Sequence, residues 1–272
     1  MPTVWVNGQA DAFINPFDRG LAYGDGLFAT MRVHKGEVQF IESHFLRLAQ
    51  GALRLGFQWQ PSTSLKQRLL QCAADHPQSC IKILLSRGVG GRGYMPVTSN
   101  PAINEIISVH PIPDIYANWQ QAGINLQTAD VLLARQPRLA GIKHCNRLEQ
   151  VLIKSARLDN TADDWLVLDS QRNIIESSMA NLFFHTETGI VTPKLSHAGV
   201  AGMMREQVIY KLLEMKFEVS ITDFHIDLLP MVKHVFMTNS LLGVVDINKI
   251  NQQPFKKAAY TSLLKEQLNL TL

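Results

Sequence analysis

One lysine stands where its amine has unusual chemistry open to it. Lys143 ends the apolar, glycine-containing run Arg138-Leu-Ala-Gly-Ile and is followed by His-Cys-Asn-Arg-Leu-Glu-Gln150, a helix-forming stretch. An amine on a short apolar approach can be partly desolvated, which disfavours its charged form and leaves a nucleophile able to condense with an aldehyde. That is the requirement for a Schiff-base lysine. Position alone leaves the ordinary reading open, because most lysines are solvated surface groups.

A carboxylate follows in an unusual setting. Ile174-Ile-Glu176-Ser-Ser-Met-Ala-Asn181-Leu-Phe-Phe184 returns after Leu166-Val-Leu-Asp-Ser-Gln-Arg-Asn173 like the second arm of a hairpin and carries Glu176 into a hydrophobic strand. Pyridoxal phosphate needs such an acid: a buried carboxylate at the pyridine nitrogen keeps it protonated and makes the ring an electron sink. A strand-edge glutamate facing water is the alternative for Glu176 alone; paired with Lys143, the cofactor reading gains. Gly199-Val-Ala-Gly202 leads directly into a helical run from Met203. Free N–H groups at such a start, with their partial positive charge, make a phosphate seat. The Gly88-Val-Gly-Gly-Arg92-Gly93 loop lacks the Gly-Lys-Ser/Thr ending of a nucleotide loop and fits a mobile active-site loop better. Arg92 would then offer a planar fork to a substrate carboxylate, the alternative being an exposed arginine on a surface loop.

These segments, with Asp18-Arg-Gly-Leu-Ala-Tyr-Gly-Asp25-Gly-Leu-Phe-Ala-Thr30-Met-Arg32, His44-Phe-Leu-Arg47-Leu, Ser86 to Tyr94, Gly202-Met-Met-Arg205 and Phe236-Met-Thr-Asn-Ser240, resemble the fold-type IV pyridoxal-phosphate enzymes over nearly the whole chain. Ala140-Gly-Ile-Lys143-His, Asn146-Arg-Leu-Glu-Gln and the Gly-Gly-Arg-Gly-Tyr loop are most similar to the aminodeoxychorismate lyases within that family. The resemblance implies an α+β, two-domain architecture: a small N-terminal α/β domain, a larger barrel-like C-terminal domain, and the cofactor in the cleft between them. It implies a homodimer and a lyase that converts 4-amino-4-deoxychorismate to 4-aminobenzoate and pyruvate in folate biosynthesis. A D-amino-acid or branched-chain aminotransferase is the alternative of the same fold.

The site residues carry over one by one. Lys143 holds the cofactor and moves a proton, with Thr30 a second candidate for proton transfer. Arg47, Ser240 and the backbone amides of Met203 and Met204 hold the phosphate, and Glu176 the ring nitrogen. Many family members have a hydroxyl residue where this chain has Met204, so binding there would rest on backbone alone. Arg92 and Arg147 are the candidates for substrate binding. Plainer readings stay open: Thr30 as an ordinary strand residue, Ser240 as a turn residue, Arg47 as a solvated helix arginine and Arg147 as a helix-start residue. Asp25 reads as a turn and hydrogen-bonding residue.

Composition narrows the class further. The chain has 272 residues, 46% hydrophobic and 18% charged, enough for a sizeable core in one large or two modest domains. A formal charge of +3 with no run of five like charges argues against nucleic acid as a partner, while still favouring an anionic substrate or the cofactor phosphate. Three scattered cysteines, Cys72, Cys80 and Cys145, suggest a reducing compartment rather than a disulfide framework. Met1-Pro-Thr-Val-Trp-Val-Asn-Gly has no signal-peptide character, and no stretch approaches the roughly 18 apolar residues of a membrane span. The expectation is a cytoplasmic protein with no membrane partner. Nine histidines without His-Glu-x-x-His spacing and the lack of a Cys-x-x-Cys pair give no metal site, and no Gly-x-Ser-x-Gly elbow is present. The adjacent pair Asp163-Asp164 reads as surface.

The elements that must position these residues alternate between strands and helices without a fixed repeat. Strands are expected at Val4 to Gly8, Glu37 to Ile41, Cys80 to Leu85 and Ile103 to Val109, with helices at Ser43 to Leu55 and Ser64 to Ala74. Pro111-Ile-Pro113 breaks the pattern, which sets domains at 1–113 and 120–272 with a linker at 114–119. In the second half a new segment opens at Ile124, and helices are expected at Asn146 to Leu158 and Met203 to Met215. Strands are expected near 165–169, 174–177, 181–185, 217–221, 235–238 and 244–247. A final helix after Pro254 should bury Phe255, Ala259 and Leu263.

Overall fold

The computed structural model describes residues 4–10, 12–90, 92–96 and 102–272; the N-terminal Met1 to Thr3 and Gly91 of the glycine loop lie outside the described residues. The chain forms two compact units. One runs to Pro113 and takes in Ile142–Asn146; the other comprises Asp114–Gly141 and Arg147–Leu272. The lysine segment is thus a five-residue excursion belonging to the first unit. Residues 114–119, expected as a linker, are instead mostly helix, because Ile115, Tyr116 and Trp119 lie on one helical face and Tyr116 and Trp119 pack on the second unit's core.

The first unit contains β1 (Val4–Val6), β2 (Gln9–Ala10), α1 (Arg19–Tyr23), β3 (Gly26–His34), β4 (Glu37–Val38), α2 (Ile41–Arg54), α3 (Thr63–Asp75), β5 (Gln78–Ser86) and β6 (Asn104–His110). Its sheet is antiparallel, in the order β2-β1-β6-β5-β3-β4. Side chains alternate across a strand. Leu27, Ala29, Met31 and Val33 of β3 join Ile81, Ile83 and Leu85 of β5 in a core with Phe45, Leu48 and Ala52 of α2 and Leu65 and Leu69 of α3. The opposite face of β3 therefore carries Phe28 and Thr30. The strand expected through Ile41 stops at Val38. Phe40 takes a left-handed backbone (φ 54°) that turns the chain into α2 two residues earlier than the sequence pattern indicated.

The second unit contains α4 (Ile115–Ala122), β7 (Ile124–Thr128), α5 (Leu148–Ser155), β8 (Asp164–Leu168), β9 (Ile174–Ser177), β10 (Asn181–Thr186) and β11 (Gly189–Pro193). It continues with α6 (Met203–Glu214), β12 (Val219–Thr222), a 3₁₀ turn at Ile226–Met231, β13 (His234–Asn239), β14 (Gly243–Ile250), β15 (Gln253–Pro254) and α7 (Ala259–Gln267). Eight strands run β12-β11-β10-β13-β14-β7-β8-β9, with β15 paired to β14. β7 lies parallel to both β14 and β8, whereas β8 and β9 form an antiparallel hairpin. The hairpin places Glu176 opposite Val167, and every residue of β9 is buried.

Two expectations fail here for reasons of packing. The last helix buries Tyr260, Thr261 and Leu264, while Leu263 is 46% exposed, because Pro254 belongs to β15 and the helix starts only at Ala259, which shifts its inward face. Asp164, expected on the surface, is fully buried as the first residue of β8. Lys154 Nζ pairs with it at 3.0 Å and the Ser178 hydroxyl donates to it, which compensates a buried charge. Among the described residues no helix is long and apolar enough to cross a membrane. None of the three cysteines is in a disulfide.

Candidate active site

Lys143 sits on the free edge of β3. Beyond the short β4 pairing, the first half of β3 has an open edge, and residues 143–145 occupy it as an added piece of strand. The Phe28 N–H donates to the Lys143 carbonyl (3.0 Å), the Cys145 N–H donates to the Gly26 carbonyl (2.9 Å), and Leu27 pairs with His144. Gly26 is required by the neighbouring strand β5, since a Cβ there would lie 2.4 Å from the Leu85 carbonyl oxygen; it would also come within 3.3 Å of Cys145 Sγ on the added piece of strand. The antiparallel register puts Lys143 beside Phe28, with the ammonium 4.6 Å from the ring centre. Thr30, half-buried, lies two residues further along the same face, opposite Lys82. Lys143 and Thr30 thus share one face of one sheet.

Arg47 and His44 lie one turn apart on α2, so both point to the same side of the helix. The Arg47 Nε is buried without a hydrogen-bond partner, and burial brings the guanidinium down to about 10. His44 is completely buried, and neither ring nitrogen has a partner. Burial first, then the positive charges of Arg47 and Lys143, hold its pKa well below the usual histidine value, so the ring is neutral. His44 stands in the His44-Phe-Leu-Arg47 motif without a role that the sequence alone assigns. The signal was the His-x-x-Arg spacing with its histidine on the buried stripe of a helix.

Arg92 is exposed on the glycine-rich loop of the same unit. Asp25 is the hydrogen-bonding residue expected, accepting from Arg19 Nε (2.9 Å) and Arg87 Nε (3.0 Å).

In the second unit, Glu176 is 7% exposed, and its Oε2 accepts from the Val200 N–H (3.0 Å). The segment holding Val200 is fixed on both sides. Gly141 N–H donates to the Gly199 carbonyl (2.9 Å) and Ala201 N–H to the Gly141 carbonyl (3.0 Å). Asn181, at the start of β10, donates to the Val200 carbonyl (2.9 Å) and accepts from the Gly202 N–H (3.1 Å). No side chain caps the start of α6 at Gly202, so the first N–H groups of this helix, those of Met203 and Met204 among them, have no intrahelical or side-chain partner. Both methionine side chains are buried and contribute packing only. Arg205 ties the helix down through Thr192 Oγ1 (3.0 Å) and the Pro193 carbonyl (2.9 Å). Ser240 lies in the turn joining β13 to β14. Arg147 is the residue preceding α5, and its side chain makes no capping bond. Asn181 has no signal in the sequence, because an asparagine opening a strand carries no distinctive pattern.

The architecture is that of a fold-type IV enzyme, and the chain belongs to the class IV amino-transferase family, whose model matches residues 26–250. Members of this family work with pyridoxal phosphate. Aminodeoxychorismate lyase of Vibrio harveyi is 35% identical over 271 residues, covering 97% of this chain and 99% of that protein. The crystal structure of 4-amino-4-deoxychorismate lyase from Pseudomonas aeruginosa matches with a TM-score of 0.91 and 33% identity, over 99% of this chain and 100% of that one. The PLP-bound form of a hypothetical aminotransferase from Mycobacterium tuberculosis shares the fold, with a TM-score of 0.84 at 15% identity, over 99% and 98% of the two chains.

Proposed function

We propose that this protein is an aminodeoxychorismate lyase, releasing pyruvate from 4-amino-4-deoxychorismate to leave 4-aminobenzoate, with pyridoxal phosphate as cofactor. The observation that carries the reading is the placement of Lys143 on the β3 edge against Phe28, in a chain that matches lyases of this name from end to end.

The residues present fit the cofactor. In the first unit, Arg47 has a buried, unpartnered Nε suited to a phosphate; in the second, the uncapped start of α6 has backbone N–H groups of the kind that bind one. A Cβ at Gly202 would stand 2.1 Å from Asn181 Oδ1, so glycine leaves room for the asparagine that holds this helix start. Ser240 is assigned to the phosphate as well, and Glu176 to the ring nitrogen. The bound cofactor supplies a protonated ring that takes up electron density from the substrate carbon bearing nitrogen.

The chain's own groups do the rest. The Lys143 amine holds the cofactor and then takes the proton from the carbon bearing nitrogen. Glu176, buried and oriented by the Val200 N–H, keeps the ring nitrogen protonated, because a carboxylate screened from water favours a proton on its partner. Thr30, on the same sheet face as Lys143, or Lys143 itself returns a proton as the enolpyruvyl group departs. Arg92 and Arg147 bind the substrate carboxylates. Loss of pyruvate aromatises the ring, which makes the step effectively irreversible.

The reading extends to a cytoplasmic homodimer. Three cysteines without a disulfide support a reducing compartment, and the exposed Leu148, Val151 and Leu152 along one face of α5 support a second copy as partner. The test is an assay of purified protein with 4-amino-4-deoxychorismate. The expected result is equimolar pyruvate and 4-aminobenzoate. Amino-group transfer to a keto acid without either product would point to an aminotransferase instead.

A further inference from the structure

The glycine-rich loop is gripped from behind by a buried arginine. Arg19, 4% exposed, donates from Nη1 to the carbonyls of Gly93 (3.1 Å) and Met95 (3.4 Å) and from Nη2 to that of Tyr94 (2.8 Å). Three consecutive carbonyls therefore converge on one planar guanidinium, which a lysine ammonium could not span in that geometry. Asp25 holds the other edge of the fork through Arg19 Nε and shares its charge with Arg87, whose Nη2 reaches the Leu55 carbonyl (2.5 Å). Tyr23 completes the grip: its ring lies 5.0 Å from the guanidinium carbon, its hydroxyl accepts from the Gly93 N–H (3.2 Å), and its ring meets Tyr94 edge-on at 5.5 Å. Gly90 makes room for the arginine stem, since a Cβ there would lie 2.6 Å from Arg19 Cδ.

This investment is hard to explain as packing. Tyr94 and Met95 are 86% and 81% exposed, so the loop buries little apolar surface of its own. A glycine-rich segment with so few apolar contacts would ordinarily sample many conformations. What the grip fixes is the backbone immediately after Arg92, itself an exposed residue.

We propose that Arg19 is a positioning residue for substrate recognition: by clamping the carbonyls of residues 93–95 it presents Arg92 to a carboxylate of the substrate. This rests on the assignment of Arg92 to substrate made above. Arg19 touches neither the cofactor nor the reacting atoms in this scheme. Its effect belongs in KM, because an ordered loop lowers the cost of engaging the carboxylate without altering the proton transfers at Lys143.

The test compares Arg19→Lys, Tyr23→Phe and Arg92→Ala holoenzymes with the wild type. Amide hydrogen exchange in residues 92–96, measured without substrate, should speed up by about tenfold in Arg19→Lys and by less in Tyr23→Phe, which loses one hydroxyl. KM for 4-amino-4-deoxychorismate should rise by about tenfold in Arg19→Lys, with kcat within about threefold and the cofactor's visible absorption unchanged. Arg19→Lys combined with Arg92→Ala should be no worse than Arg92→Ala alone. Faster exchange with an unchanged KM, a raised KM with unchanged exchange, or additive losses in the double variant would each overturn the proposal. Should the wild type show no lyase turnover, the functional assignment fails, and the exchange measurement alone then decides whether Arg19 holds the loop.

Discussion

Phe28 and Lys143 are joined twice, by a backbone hydrogen bond of 3.0 Å from the Phe28 N–H to the Lys143 carbonyl and by the Lys143 ammonium 4.6 Å from the Phe28 ring centre. One contact sets the position of the lysine backbone and the other the direction of its amine. The two separate by mutation. Phe28→Leu keeps the N–H and an apolar side chain but removes the ring, whose attraction for a cation amounts to ~0.5–2 kcal/mol. Steady-state kinetics should show kcat falling by up to about tenfold, with Lys143 still the site of cofactor attachment. Full activity in Phe28→Leu would show that the ring does not orient the amine.

Gly26 is where the added strand closes on β3. Gly26→Ala would place a Cβ 2.4 Å from a backbone oxygen of β5 that cannot swing aside. Denaturant unfolding should register a loss of about 2–4 kcal/mol, because the end of β3 must part from β5. An alanine variant of wild-type stability and activity would contradict the geometry described for this edge.

The buried His44 gives stability a pH dependence of definite sign. Its pKa in the folded state lies well below 6.5 through burial and the neighbouring Arg47 and Lys143 charges, so below pH 6.5 the unfolded chain binds a proton that the folded one refuses. The contribution is complete above pH 6.5 and is lost as pH falls below it, with a slope of up to ~1.4 kcal/mol per pH unit. Urea titrations between pH 5 and 7 should show this decline in the wild type and a shallower one in His44→Gln. Equal slopes in the two proteins would remove His44 from the account.

Glu176 is buried in a strand and oriented by the Val200 N–H. Glu176→Gln keeps the shape and removes the charge that would hold a proton on the ring nitrogen. The expected result is retention of the cofactor with kcat lowered by roughly 100-fold. Retained kcat, measured by pyruvate release, would place the ring's proton partner elsewhere.

The uneven legibility of this chain follows from what each residue depends on. Lys143, Glu176 and the Gly202-Met203 junction are local signals, a charged group in an apolar run or a glycine opening a helix, and these can be read without partners. The helix at Ser43 to Leu55 was equally legible, because Phe45, Leu48 and Ala52 show the helical period directly. What escaped notice depends on partners distant in the chain. Asp164 looked like surface until Lys154 and Ser178 compensated its burial. The Lys143 segment seemed part of the second half, yet its backbone bonds go to residues 26–28, more than a hundred positions earlier. Arg19 carries no local signal of its task, because the carbonyls it holds belong to a loop some seventy-five residues away.

The central claim, that Lys143 is the residue carrying the cofactor, is tested most directly by reducing the purified protein with borohydride and mapping the labelled peptide by mass spectrometry. A single pyridoxyl label on Lys143 is the predicted result. A label on another lysine such as Lys82, or no label on a protein that contains the cofactor, would contradict it.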